Sequence, residues 1–260
     1  MTGNDVPLLR TDDDRESGVG AVDKALDVLF HLHHSGPQGV TSVARALGLP
    51  KSTAHRLLTV LTRRGLLEKT PQSLYRPGFT LVALGYGILD GDPIVAAVRR
   101  PLEEAAVALG ETCFFVGAHG GELVVLHKEE GRGILRAAPS VGSRVPLHAT
   151  SAGRLYLAFA PELVRLPRRL EPYTDKTPHD HAALEEAVAR AREHGWELNE
   201  EGWIRGLSVL SAAVLSRGKM LGVVSLAAAA PRMEALGGAA LAPRVIEVAE
   251  AIAKRIEGEQ

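Results

Sequence analysis

A short basic segment, LPKSTAHRLLTVLTRRG at residues 49–65, has the clearest chemistry in the sequence. Its apolar residues recur at helical spacing and predict a buried stripe made of Ala54, Leu57, Leu58 and Leu61. The opposite face then displays Ser52, Thr53, His55, Arg56, Thr59, Arg63 and Arg64. Short hydroxyls near a helix start, followed by an arginine one turn later, suit a major groove, where arginine can pair with guanine through two hydrogen bonds.

The neighbouring residues predict the elements that position this segment. Residues 21–34 carry apolar side chains at helical spacing, and SGPQG ends that helix. A second, short helix precedes the basic one. Predicted caps and stops for these two helices are Thr41 or Ser42, Gly48, Pro50, Ser52 and Gly65. This order of helices and turns predicts a helix-turn-helix.

The next residues, LLEKTPQSLYRPG, predict two short strands about a Thr-Pro-Gln-Ser turn, a winged hairpin. Lys69 and Arg76 on its strands could contact phosphates or a minor groove. A basic amphipathic helix is often only a solvated face, but three helices plus a hairpin in this order favour DNA. The candidate DNA contacts are Lys51, Ser52, Thr53, His55, Arg56, Arg63, Lys69 and Arg76.

The charge distribution favours the same assignment. The chain of 260 residues has a formal net charge of −1, yet residues 18–80 hold eight basic and three acidic side chains. Only this segment is expected to meet a polyanion. Residues 1–17 hold five acidic and two basic side chains and are predicted to be a disordered acidic leader. The predicted domains are a winged helix-turn-helix at 18–78, a linker helix at 79–92 and a larger domain at 93–260.

The larger domain is predicted to be α+β with an antiparallel sheet, because β-rich runs, helices and a further pair of strands follow one another. Residues 79–90 are apolar almost all round and predict a buried helix that could pack against a second copy. Pro101 predicts a kink or break in a helix at 93–109. GILRAA, ETCFFVGAH and ELVVLHKE are predicted strands.

Several classes of function are disfavoured. The single cysteine, Cys113, excludes an intrachain disulfide framework and a cysteine-rich zinc site. We expect no cofactor and no metal. The histidines at 31–34 lack a cysteine or carboxylate partner nearby in sequence, and a site made of His119, His127 and His148 would need these separate residues to converge in the fold. No apolar run has the length of a membrane span, and no signal peptide is evident, so we expect a cytoplasmic protein.

Four stretches carry a likeness to one protein family: GLPKSTAHRLLTVLTRRGLLEK, GET, VPLHATSAGR and EEGWIRGLSVLSAAV. In this order, across about residues 18–257, the chain resembles the IclR family of bacterial transcription regulators. The resemblance implies a GAF-like effector-binding domain behind the winged helix-turn-helix, and homodimers or homotetramers on double-stranded operator DNA. It also implies a repressor of a catabolic operon that a small aromatic or organic-acid effector relieves. An activator of the same class is the alternative.

The resemblance also implies where the effector lies. The implied pocket residues are Ser151, Ala152, Gly153, Val209, Ser211, Ser225 and Ala227. The helix start at Ser151 presents free N–H groups suited to a carboxylate. The family often has cysteine at Val209 and serine at Ala227, so the pocket here is expected to be more apolar. We therefore expect a partly apolar ligand with one polar end.

Two other functions are weaker readings. Ser151 and His148 are close in sequence and suggest a hydrolase-like enzyme, but the chain has no G-x-S-x-G elbow and no evident supporting acid. An architectural DNA-binding protein would gain little from the larger, slightly acidic domain.

Overall fold

The computed structural model describes residues 20–132 and 139–258, and the chain divides into two compact units between Gly91 and Asp92. The predicted acidic leader at 1–17 and the predicted strand GILRAA at 133–138 lie outside the described residues. The linker-helix residues 79–90 belong to the first unit.

The first unit is a winged helix-turn-helix followed by one more helix. Its elements are α1 (Ala21–Ser35), α2 (Val40–Ala46), α3 (Lys51–Arg63), β1 (Leu67–Lys69), β2 (Tyr75–Pro77) and α4 (Phe79–Asp90). The predicted stripe of α3 is buried and packs against Val28, Leu32 and Val43 of the first two helices. Gly48 and Gly65 adopt left-handed φ values of 62° and 72°, which is why glycine ends these turns.

The predicted cap of helix α2 is wrong. Helix α2 begins at Val40 after an N-cap at Gly39, so neither Thr41 nor Ser42 caps it. The chain enters α2 from a bridge between Gln38 and Tyr75, which sets an earlier start. Helix α4 has five exposed large apolar side chains in the single chain, so its predicted burial against a second copy stays a prediction. They are Phe79, Val82, Leu84, Tyr86 and Ile88.

The second unit is an antiparallel sheet between two helical layers. Its helices are α5 (Pro93–Leu109), α6 (Ser151–Phe159), α7 (His181–His194), α8 (Ala230–Ala235) and α9 (Ala242–Gly258). Its strands are β3 (Thr112–His119), β4 (Glu122–Glu129), β5 (Arg144–Val145), β6 (Trp196–Glu200), β7 (Leu207–Ser216) and β8 (Lys219–Ala229). They lie in the order β5-β4-β3-β8-β7-β6, and each described pair of neighbouring strands is antiparallel.

Alternation along the strands divides the core between the two faces of the sheet. Leu210 and Leu226 belong to the apolar cluster that includes α5 and α9. Val223 and Ala227 belong to the cluster that includes α6. The prediction of an α+β domain with an antiparallel sheet is thus confirmed, and the α6 face also carries the buried polar residues described below.

Two predictions about the second unit also need correction. Helix α5 continues through Pro101 without a break, and the buried proline packs within the helical layer. Strand β6 was not predicted, because its buried positions hold Glu197 and Asn199, where an amphipathic strand would carry apolar residues. In the described part of the chain, no single helix is long and apolar enough to cross a membrane.

Candidate DNA-reading surface and effector cavity

The outer side of α3 presents the side chains that the sequence singled out. Lys51, Ser52, His55, Arg56 and Arg63 are exposed, and Thr53 is half-buried. We call these six residues the reading face. Their side chains project from a helix anchored by four fully or nearly buried apolar residues, so the face is presented on a fixed support. Thr59, which follows one turn later, donates a hydrogen bond to the carbonyl of His55 at 2.8 Å.

The hairpin carries less available charge than its sequence suggests. Glu68 and Arg76 are cross-strand partners, and the guanidinium of Arg76 donates to the carboxylate of Glu68. Lys69 is paired with Tyr75 on the other side of the hairpin, with its ammonium 5.6 Å from the ring centroid. Because neighbouring residues of a strand point to opposite faces, Lys69 and Arg76 cannot both meet one DNA surface in the same way.

A cavity lies beside the start of α6, against the face of the sheet that carries Val209 and Ser225. The space between atoms at this site is about 380 Å³, including space open to solvent, but the centre of a water molecule can reach only about 20 Å³. That is room for about one water, so a ring-sized occupant requires the walls to move apart. The lining residues are Phe114, Pro139, Val145, Thr150, Ser151, Ala152, Asn199, Trp203, Ile204, Leu207, Val209 and Ser225.

Four of the seven residues implied by the family resemblance line this cavity: Ser151, Ala152, Val209 and Ser225. The other three are close but do not form its wall. A Cβ on Gly153 would overlap the backbone of Leu147, so this glycine permits close packing of α6. Ser211 is fully buried behind the wall, and Ala227 belongs to the apolar cluster.

Apart from Trp203, which the sequence suggests as a packing or pocket-rim residue, most of the apolar wall was missed by sequence reasoning. Trp203 and Ile204 lie in the loop after β6, while Phe114 comes from β3 and Val145 from β5. Strand alternation could have placed Phe114 on this face, opposite Cys113 and Phe115. The loop residues carry no periodic signal, so only the folded chain brings them to the cavity.

Three serines form a continuous chain of hydrogen bonds at the cavity wall, and we call them the serine chain. Ser211 and Ser225 are register partners on β7 and β8, with their hydroxyl oxygens 2.8 Å apart. The hydroxyl of Ser151, at the start of α6, lies 2.7 Å from that of Ser211 and 3.2 Å from the carbonyl oxygen of Val209. All three serines have no exposed surface, so these bonds satisfy groups that water cannot reach.

A buried ion pair supports Asn199 behind the same wall. Arg154 donates to Glu197 at 2.6 Å and to the Oδ1 atom of Asn199 at 2.8 Å. The amide nitrogen of Asn199 donates to the carbonyl of Ala149 at 2.9 Å. Since arginine can only donate and a carbonyl can only accept, these partners set the orientation of the Asn199 amide.

Burial dominates the electrostatics of this pair. Desolvation raises the pKa of Glu197 despite the attraction of Arg154, and desolvation lowers the pKa of Arg154 despite the attraction of Glu197. Both pKa shifts thus follow the direction set by removal of the charges from water. The pair holds Asn199 in place.

The two halves of the chain match two descriptions of one family. Residues 21–71 match the IclR helix-turn-helix domain, and residues 87–254 match the bacterial transcriptional regulator IclR C-terminal domain. The transcriptional regulator BhcR of Paracoccus denitrificans is 31% identical over 238 residues, which cover 89% of this chain and 85% of BhcR. The chain belongs to the IclR family.

Other relatives agree with this membership. The transcriptional repressor AllR of Salmonella typhi is 27% identical, covering 84% of this chain and 83% of AllR. The Thermotoga maritima IclR crystal structure has a TM-score of 0.73 at 22% identity, covering 92% of this chain and 97% of that one. An IclR homologue from Microbacterium hydrocarbonoxydans, solved with 4-hydroxybenzoate, has a TM-score of 0.77 at 20% identity, covering 92% and 100%. This IclR-family chain is a ligand-responsive DNA-binding regulator.

The chain belongs to the IclR family, whose members are DNA-binding regulators, and the hypothesis of a hydrolase-like enzyme is therefore rejected. The geometry agrees, because Ser151 bonds to Val209 and Ser211, while the Nε2 atom of His148 bonds to the carbonyl of Glu171. Burial raises the pKa of Cys113 to about 12, so its thiol is a poor nucleophile. Within the described residues, no group of three or more histidine, cysteine, aspartate or glutamate side chains could hold a metal.

Proposed function

We propose that this IclR-family chain is a repressor of a catabolic operon, and that a small aromatic or organic-acid effector in the cavity releases it from its operator. The observation that carries the proposal is a chain that joins an exposed basic reading face to a largely apolar cavity. The cavity admits about one water, so an effector must move its walls. Such movement gives the two states of the chain unequal affinity for the effector, as regulation requires.

The proposed DNA contacts divide by role. Arg56 reads a base edge, and Ser52, Thr53 and His55 contact bases or phosphates near the start of α3. Lys51, Arg63 and Lys69 contact phosphates and add affinity that falls with salt. Arg76 contributes least among the cations, since Glu68 already compensates its charge.

The operator is proposed to be double-stranded DNA bound by a homodimer in the cytoplasm, with a homotetramer as the larger assembly. Exposed apolar residues of α4 support this assembly, because Phe79 is 75% and Ile88 is 72% exposed. Apolar patches of this kind are costly in water and typical of contacts between subunits. A two-fold dimer would place two copies of the reading face on successive major grooves.

Footprinting of the DNA upstream of the gene and its neighbours tests this proposal. The wild-type chain is expected to protect two inverted half-sites centred one helical turn, or a multiple of it, apart. Addition of a panel of small aromatic and organic acids, 4-hydroxybenzoate included, is expected to reduce protection with at least one compound. A reporter on the same promoter assigns the sign, since deletion of the regulator raises expression for a repressor and lowers it for an activator. Absence of protection at low salt would refute the proposed function.

A further inference from the structure

The cavity wall presents a specific pattern of hydrogen-bond donors and acceptors, and we infer that the effector presents a hydroxyl group to Ser225. The inference rests on the proposed function only in taking this cavity as the effector site. It narrows the ligand class to hydroxylated aromatic or similarly apolar compounds. Their hydroxyl lies at the buried end and their apolar body faces the remaining walls.

The serine chain ends at the cavity as an acceptor. Each serine hydroxyl has one proton, and the carbonyl of Val209 can only accept. One arrangement satisfies all three contacts at once: Ser151 donates to Val209, Ser211 donates to Ser151 and Ser225 donates to Ser211. In this arrangement all three protons are committed. Ser225 lines the cavity and is left with lone pairs that call for a donor on the ligand.

The other polar side chains of the wall complete the pattern. Thr150 donates its proton to the carbonyl of Pro146 at 2.6 Å. Asn199 uses one amide proton on Ala149 and, within the described residues, makes no bond with the other. The indole N–H of Trp203 is likewise a donor without a described hydrogen bond. A hydroxyl group on the ligand satisfies both the acceptor and the donors of the wall, because it donates to Ser225 while its oxygen accepts from Asn199 or Trp203.

The rest of the wall calls for an apolar body. Phe114 and Trp203 are aromatic, and aliphatic side chains from β5, β7 and their neighbouring loops fill the gaps between them. Burying these surfaces against a ring is favourable, whereas a small, fully polar acid would leave them without an apolar partner.

A carboxylate is the competing occupant of this end of the cavity. The first N–H groups of α6 favour an anion, but this contribution is smaller than the cost of burying a carboxylate away from water without a cation. Among the described lining residues there is no lysine, arginine or histidine, and Arg154 is paired with Glu197. A carboxylate can only accept, so it would also have to reverse all three serine protons and break the bond from Ser151 to Val209.

Calorimetry on the full chain with three probes tests this inference: phenol, its methyl ether anisole, and benzoate. We expect phenol to bind about 3- to 10-fold more tightly than anisole, because reversal of the serine chain forfeits one neutral hydrogen bond. Benzoate is expected to bind more weakly than phenol. Equal binding of phenol and anisole, tighter binding of benzoate, or failure of phenol to bind at millimolar concentration would each overturn the inference.

Anisole could bind more weakly than phenol either because it cannot donate a hydrogen bond or because its methyl group is too bulky. The variant Ser211→Ala distinguishes these two explanations. Ser211 is not part of the wall, but its loss frees the proton of Ser225 to face the ligand. Anisole can accept that proton, so the phenol-to-anisole ratio is expected to fall to about 1. Ser208→Ala is the matched control, because Ser208 is buried on the same strand and faces the opposite side of the sheet. It should keep the wild-type ratio.

A ratio that Ser211→Ala leaves unchanged contradicts the inference. If the variant does not fold, the wild-type ratio alone decides. Operator binding by the same preparations, measured without any probe, separates this result from the proposed function. A chain that binds operator but does not distinguish phenol from anisole is still a regulator and loses the hydroxyl assignment. A chain that distinguishes the probes but ignores its promoter keeps the assignment and loses the proposed role.

Discussion

The reading face of α3 and the cavity beside α6 use polar side chains in opposite ways. On α3, Lys51, Arg56 and Arg63 are exposed and form no ion pair among the described residues. Beside α6, the polar side chains are buried and bonded mostly to one another. A partner of the reading face can therefore contact every polar atom of these side chains. A ligand in the cavity can bond only to the donors and acceptors that are not already used in hydrogen bonds within the chain.

The comparison predicts that substitutions among the buried polar residues behind the cavity wall act first on stability. Arg154→Ala should lower the free energy of unfolding of the second unit by about 3–5 kcal/mol, because it leaves the buried carboxylate of Glu197 without a partner. Chemical denaturation followed by circular dichroism measures this loss. The matched control is Arg100→Ala, which removes an arginine from an exposed pair with Glu104 and should leave stability unchanged within error.

A second variant compares the loss of one charge of the ion pair with the replacement of both charges. Since desolvation outweighs attraction for both groups, Arg154→Met combined with Glu197→Leu should recover most of the stability that Arg154→Ala loses. An equally unstable double variant would mean that the ion pair itself stabilises the fold. The double variant should also bind effector more weakly than the wild type, since Asn199 has lost the donor that orients it.

Substitutions on the reading face should lower operator affinity and leave the free energy of unfolding unchanged. Arg56→Ala is expected to reduce operator affinity by about 1–3 kcal/mol, the range for an arginine that reads a base edge, and to relax preference at one operator position. Gel-shift titration against operator and scrambled DNA measures both effects. Arg99→Ala, an exposed arginine of the second unit, is the charge-matched control. Undiminished operator affinity would remove Arg56 from base reading.

The same contrast explains how far the sequence predicted this molecule. The reading face follows from local signals, because apolar residues three and four apart identify the buried side of α3, and Gly65 identifies its end. The cavity depends on register and on distant segments. Ser211 meets Ser225 only because β7 and β8 pair in one register, and Asn199 sits on a strand whose buried polar pattern resembles a loop.

Two environments depend on partners that composition does not identify. Arg76 is predicted as a phosphate contact from its charge, and only strand pairing places Glu68 opposite it across the hairpin. Helix α4 is predicted to be buried because it is apolar all round, and among the described residues nothing covers Phe79 or Val82. In both cases a neighbouring group decides the environment of the side chain.

The wing provides the finest test of the comparison, since Arg76, one of its proposed DNA contacts, is already paired with Glu68 within the chain. Operator affinity should be measured as a function of salt for Arg63→Ala and Arg76→Ala. Arg63→Ala should reduce the slope of log affinity against log salt by about 1, the value for one lost phosphate contact. Arg76→Ala should reduce it by clearly less, because Glu68 already neutralises that guanidinium.

Removing the Glu68 carboxylate should abolish the difference between the effects of Arg76→Ala and Arg63→Ala. Glu68→Gln leaves the hairpin uncharged at that position and frees Arg76 for a phosphate, so it should steepen the salt dependence and raise affinity for operator and unrelated DNA alike. In the Glu68→Gln background, Arg76→Ala should then cost as much as Arg63→Ala does in the wild type. If Arg76→Ala instead has the full effect with Glu68 present, the ion pair opens on DNA, and the wing acts as a second reading face and not as a neutral support.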